Sequence, residues 1–275
     1  MTDRSANPTT GCRRALAIAA HPDDIEFLMG GTLLLLKQAG WETHYCNLAS
    51  GNCGSLKLSA RRTTVVRERE ARAAAGVLGA VHHPGFTHDL ELFYDDASLR
   101  RVAALIREVR PGILLTHSPQ DYMEDHMTAS RLTVSGAFVR GAPNYRSKPA
   151  RKTYEGDVTI YHAMPHGLRD SLRKRITPGA FVNTTSVHEV KRAALAKHES
   201  QKAWLDATQG MESYLRAMDE MSMEVGRMHG RMRFAEGWRR HSHLGFCAAD
   251  ADPLREALGA HYMVNQAYER GLSLG

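Results

Sequence analysis

The stretch His21-Pro22-Asp23-Asp24-Ile25-Glu26 constrains this chain more than any other. Ahead of it lies a short apolar run, Ala15-Leu16-Ala17-Ile18-Ala19-Ala20, which reads as a buried strand. Behind it come Gly30-Gly31 and an apolar block, Thr32-Leu33-Leu34-Leu35-Leu36, which reads as a helix. An imidazole and two adjacent carboxylates therefore stand at the C-terminal end of a strand, just before a helix. In open α/β folds ligands and chemistry gather at that edge. A hydrolase that uses a metal-bound water needs protein ligands for the ion and a separate base for the water's proton. This one stretch offers two ligands and the base.

The first half of the chain repeats the strand–helix rhythm. After the helix Gly31–Gln38, Thr43–Leu48 reads as a second strand and Ser59–Leu78 as a helix closed by Gly79. A short strand is expected around His82–Phe86. Leu99–Val109 reads as a helix stopped by Arg110-Pro111-Gly112, and Ile113-Leu114-Leu115-Thr116 as a core strand. Such alternation implies parallel βαβ units. A helix follows Asp125 and runs through 137–140, then 141–155 reads as a surface loop. Val158–Ala163 and Ala180–Thr184 are later strands. Ser186–Leu205 reads as one helix capped by Thr185 or Ser186. Met211–Met228 reads as another, its methionines filling core. The expected fold is a Rossmann-like, three-layer α/β domain with a mainly parallel sheet and a helical C-terminal part. It spans 1–275 as one domain, with 1–12 as a loose tail.

A second chemical cluster lies just past the Ile113–Thr116 strand, from His117 to His126. Two such clusters on neighbouring parallel strands converge on one cleft. His126 joins His21 and Asp24 as a third metal ligand, a His₂–carboxylate set that leaves a position for water. Taken singly, the residues have ordinary readings; Asp125, for example, suits a helix cap.

Composition excludes several classes. Charged residues are 24% of the 275, hydrophobic residues 43%, and no apolar stretch has the length of a membrane span. No apolar leader core precedes the domain, so membrane insertion is not expected and the cytoplasm is the default location. The four cysteines Cys12, Cys46, Cys53 and Cys247 form no CxxC pair and read as reduced thiols. The net charge of +6 comes from dispersed basic residues, so nucleic acid is not expected as a partner.

The residues Ala20 to Glu26, with Gly30-Gly31-Thr32 behind them, resemble the signature of the PIG-L/LmbE-like N-deacetylases. The resemblance extends over Val66 to Glu70, Ala74, Leu78-Gly79, Phe86 to Asp89 and Pro119 to His126. It implies a zinc-dependent enzyme that removes acetyl from N-acetylated amino sugars or their conjugates. Related members cleave amides of sugar–thiol conjugates, and similar proteins are often homo-oligomers. By the same resemblance His21, Asp24 and His126 hold zinc and Asp23 is the general base that assists attack by the zinc-bound water. Arg67 and Asp89 hold the sugar. Glu26 stands behind the ligands and orients one of them or the local backbone.

One departure bears on mechanism. Many members of that family have His-x-x-His, but here Met123 stands three residues before His126. A thioether neither donates a proton nor stabilises an oxyanion. The carbonyl is then polarised by zinc itself, by Tyr122 at the substrate, or by a later histidine, with His162 preferred to His166. A His₂–carboxylate set also suits iron(II). The rival readings are an iron oxygenase, a nucleotide-binding Rossmann module, for which Gly30-Gly31 is a poor phosphate loop, and a sugar-binding protein that has lost turnover.

Overall fold

The computed structural model describes residues 13–209 and 214–273. Its elements in chain order are β1 (Arg14–Ala19), α1 (Asp24–Leu28), α2 (Gly30–Gln38), β2 (Glu42–Asn47), α3 (Ala60–Leu78), β3 (Val81–His83), α4 (Asp96–Val109), β4 (Ile113–Thr116) and α5 (Glu124–Phe138). There follow β5 (Thr159–Ala163), β6 (Ala180–Asn183), α6 (His188–Leu195), α7 (Glu199–Gln209), α8 (Tyr214–His229), β7 (Ala235–Arg240), α9 (Pro253–Leu258), β8 (Tyr262–Val264) and α10 (Gln266–Ser273).

The strands form one sheet in the order β3-β2-β1-β4-β5-β7-β6-β8. The first five are parallel; β7, β6 and β8 add an antiparallel edge. From β1 the chain builds outward through β2 and β3, then returns to place β4 on the other side of β1. The junction of β1 and β4 is therefore the switch point, where a crevice opens at the strands' C-terminal ends. Both strands lie at the middle of the sheet, so both faces are buried and their sequences are continuously apolar. Along β1, Ala15, Ala17 and Ala19 pack with Leu33 and Leu36 of α2 on one face. Leu16 and Ile18 pack with Ile106 of α4 and Leu132 of α5 on the other. These alternating contacts make three layers, helix on sheet on helix.

Gly31 is required by the approach of two distant segments. A Cβ there would lie 2.5 Å from Thr184 Cγ2. Its N–H and that of Thr32 donate to the two oxygens of Glu236 at 2.8 Å each, which satisfies the N-terminal turn of α2. Lys191 Nζ donates to the same carboxylate at 2.7 Å, and both side chains are buried.

The structure departs from the sequence reading at several elements. The single helix expected over 186–205 is two, α6 and α7. Between them His198 turns inward, its N–H bonding to Leu195 O at 3.1 Å and its ring lying 3.2 Å from the buried Glu26. Neither Thr185 nor Ser186 caps α6; Val187 precedes it without a side-chain bond. The strand expected over 82–86 is the shorter β3. Helix α4 starts three residues earlier than expected, because Asp95 Oδ1 accepts the Ser98 N–H at 2.7 Å. Met218 is fully buried, as expected of core filling, whereas Met211 and Cys12 lie outside the described residues. Cys46, Cys53 and Cys247 are free thiols. Among the described residues no helix is long and apolar enough to cross a membrane.

Candidate active site

Two loops leave β1 and β4 at the same level, with Ile18 opposite Thr116. The first carries His21, Asp23 and Asp24; the second ends in α5, whose first turns carry Asp125 and His126. One nitrogen from each of His21 and His126 and one oxygen of Asp24 all lie within 4.8 Å of one another. His126 Nε2 is 3.4 Å from Asp24 Oδ1, and His21 Nδ1 is 3.5 Å from Asp24 Oδ2.

The far nitrogen of each ring is held by another carboxylate. His21 Nε2 pairs with Asp125 Oδ2 at 3.0 Å, and His126 Nδ1 with Asp121 Oδ1 at 3.1 Å. Such outer carboxylates fix tautomer and ring direction, so the inner nitrogens face Asp24. Asp125 also accepts the Leu90 N–H at 2.8 Å, which ties a third loop to the site. His117, fully buried, stacks flat on His126 with centroids 4.1 Å apart.

Electrostatics in this group suit a cation. Burial opposes charge on both imidazoles, yet Asp125 and Asp24 prevail and push His21 up to about 9. Asp24 and Asp121 likewise outweigh burial and push His126 up to about 10. Burial also opposes ionisation of Asp24, but His126 and His117 hold it well below the usual carboxylate range. Three carboxylates thus lie against two imidazoles in a buried space, and a divalent ion would take the place of the protons those carboxylates hold on the rings. The donor set fits such an ion, with coordination positions left open.

Asp23 faces the same space from a strained backbone, φ +105°, at the start of α1. Its Oδ2 accepts from the Tyr214 hydroxyl at 2.7 Å and lies 3.4 Å from Arg67 Nη2. Burial pushes its carboxyl up, against the pull of Arg67.

Asp23, Asp24, His21 and His126 open onto a cavity of about 280 Å³ that Arg67, Asp89 and Tyr122 also line. Arg67 is buried and donates to the carbonyls of Pro22 and Gly51. Asp89 accepts the N–H groups of Gly51 and Cys53 at 2.6 and 3.0 Å. The two residues thus clamp the 51–53 loop at the cavity wall. Gly51 sits at φ +72°, where a Cβ would also meet the Arg67 guanidinium at 2.5 Å. Tyr122 is exposed at the rim, edge-on to His126.

Glu26 is fully buried, accepting from Tyr45 Oη at 3.2 Å and facing His198. It lies behind the loop rather than on the surface.

His162 does not reach the cavity. Its Nδ1 is 2.8 Å from His117 O and 3.2 Å from Ser130 Oγ, and its Nε2 is 3.0 Å from His241 Nδ1. Burial pushes it down to about 4. With both ring nitrogens engaged in the interior, it cannot serve as the oxyanion donor expected of it. His166, the other candidate from the same segment, does line the cavity, against the rings of Phe27 and Tyr122. The sequence reading also missed Asp121, Asp125, His198 and Tyr214. The first two lie within the His117–His126 cluster; the last two are brought in from far along the chain and carry no local signal.

A doubly wound sheet with this donor group at its switch point defines an α/β protein with a candidate metal centre. A family model described as PIG-L, GlcNAc-PI de-N-acetylase matches residues 16–137, the segment that carries the donor group. The diacetylchitobiose deacetylase of Thermococcus kodakarensis is 30% identical over 240 residues, 84% of either chain. The 4-oxalmesaconate hydratase of Pseudomonas putida is 31% identical over 197 residues, 69% of this chain and 74% of the hydratase. A solved structure of N,N'-diacetylchitobiose deacetylase from Pyrococcus horikoshii matches with a TM-score of 0.71 at 23% identity, covering 90% of this chain and 91% of that one. The chain belongs to the PIG-L/LmbE-like family.

Proposed function

We propose that this protein is a zinc-dependent N-deacetylase acting on an N-acetylated amino sugar or its conjugate. The observation that carries the reading is the pairing of a His₂–Asp donor group with a separate buried carboxylate, Asp23, on one cavity wall. Support for the sugar comes from the relatives, among them the diacetylchitobiose deacetylase and a probable N-acetyl-α-D-glucosaminyl L-malate deacetylase of Bacillus cereus.

His21, Asp24 and His126 would hold the ion. A divalent ion there supplies Lewis acidity and brings the pKa of water to about 7. Asp23 takes the proton of the attacking water through Oδ1, the oxygen not held by Tyr214. Protonated Asp23 then returns that proton to the departing amine. Met123 provides no donor for the developing oxyanion, and His162 is turned away. We assign that role to His166 and Tyr122, which line the cavity with ring centroids 6.1 Å apart, and a lost donor of this kind typically costs roughly 10²–10³ in rate. Arg67 and Asp89 shape the wall on which the sugar rests by holding the 51–53 loop in place.

The test is a panel of N-acetylated sugars and conjugates read by a primary-amine probe, with metal analysis of the same sample. Amine release that stops on chelation and returns with zinc supports the reading. Metal-dependent addition of water to an unsaturated acid, with no amine released from any amide, replaces it with the chemistry of the hydratase relative. Metal and sugar binding without turnover replaces it with a binding protein.

A further inference from the structure

Tyr214 lies 191 residues from Asp23 in sequence, yet their side chains meet in a buried hydrogen bond of 2.7 Å. A phenol has one proton to donate, and here it is committed to Asp23 Oδ2. The ring that carries it is fixed. It is 3% exposed and packs with Leu195 of α6 and Met218 of α8. Phe27 lies beside it, with ring centroids 6.3 Å apart.

Asp23 needs such a hold. Its backbone is in the left-handed region, which a residue with a side chain occupies only when its surroundings over-determine it. Arg67 secures the segment from one side through the Pro22 carbonyl and lies 3.4 Å from Oδ2. Tyr214 secures the carboxylate from the other. Both contacts fall on Oδ2, and among the described residues no hydrogen bond holds Oδ1.

We infer that Tyr214 is a positioning residue, which fixes the rotation of the Asp23 carboxylate so that Oδ1 faces the cavity. The helical C-terminal part of the chain thereby acts on the chemistry of the N-terminal loop. This inference rests on Asp23 serving as the base in the proposed reaction.

The test is a double-mutant cycle with Tyr214→Phe and Asp23→Asn, read as kcat, KM, bound metal and Tm. Tyr214→Phe keeps the ring and its packing and removes only the hydroxyl. It lowers kcat by roughly 10–10², the scale of a misplaced reacting group, with KM, metal content and Tm near wild type. In the Asp23→Asn background, where there is no base to aim, the same change alters the residual kcat by less than about twofold.

Two results overturn the inference. Equal losses from Tyr214→Phe in both backgrounds show that the hydroxyl acts on the substrate directly. Loss of metal or of folding in Tyr214→Phe assigns it to structure alone. A wild-type protein inactive on every amide tested would instead overturn the deacetylase reading beneath it, whereas an active wild type with an additive cycle overturns only the role of Tyr214.

Discussion

His21 Nε2 and Asp125 Oδ2 lie 3.0 Å apart although 104 residues separate them. The contact joins the loop after β1 to the first turn of α5, so His21 is aligned by the segment that carries His126. Asp125→Ala should therefore weaken zinc affinity by about 10- to 100-fold, the usual effect of removing a carboxylate behind a ligating histidine. Zinc titration with a competing chelator measures this. Unchanged affinity would mean that the pair does not orient His21 toward the ion.

His162 and His166 separate a tie in the interior from a group at the rim. His162→Ala removes bonds to His117 O and Ser130 and leaves buried partners unsatisfied, so Tm falls while kcat per folded molecule stays near wild type. His166→Ala should lower kcat more than it raises KM, the pattern of a group acting in the transition state. Steady-state kinetics on both variants, corrected for folded fraction, checks the pair of expectations. The reverse pattern would return His162 to the mechanism.

Most of the architecture is legible in the sequence because burial on both faces leaves strands such as β1 and β4 continuously apolar, and the helices between them are amphipathic. His21, Asp23, Asp24 and His126 are legible because each sits at a strand end or in the turns that follow it. The role of His162 is not, because a residue at the end of β5 points to either side of the sheet with the same local sequence. The break between α6 and α7 is equally hidden. It depends on His198 meeting Glu26 in the interior, a contact across the fold that no local periodicity records.

Lys191 and Glu236 form a buried pair in which the carboxylate also receives two N–H groups of α2. Lys191→Met leaves that carboxylate without its cation and should cost about 3–5 kcal/mol of stability. Adding Glu236→Gln should recover part of the loss. Denaturant unfolding of the two variants measures both effects, and a loss that the second change does not reduce would show that the ion pair is not its source.

Gly51 allows the loop that Arg67 and Asp89 clamp. Gly51→Ala places a methyl group against the Arg67 guanidinium and forces a positive φ on a residue with a side chain, at a cost of about 1–3 kcal/mol. Because the loop lines the cavity, kcat/KM for an amino-sugar amide should fall further than it does for a small acetamide without the ring. Equal losses on the two compounds would separate the loop from sugar recognition.

In the proposed reaction Asp23 moves protons while His21, Asp24 and His126 hold the ion. Asp23→Asn keeps the shape of the side chain and removes the proton acceptor. Metal content and amine release measured on one preparation of this variant separate the two roles. The expected result is about one zinc per chain, as expected for the wild type, with kcat lowered by at least roughly 10². Loss of the metal, or full activity with the metal in place, would contradict it.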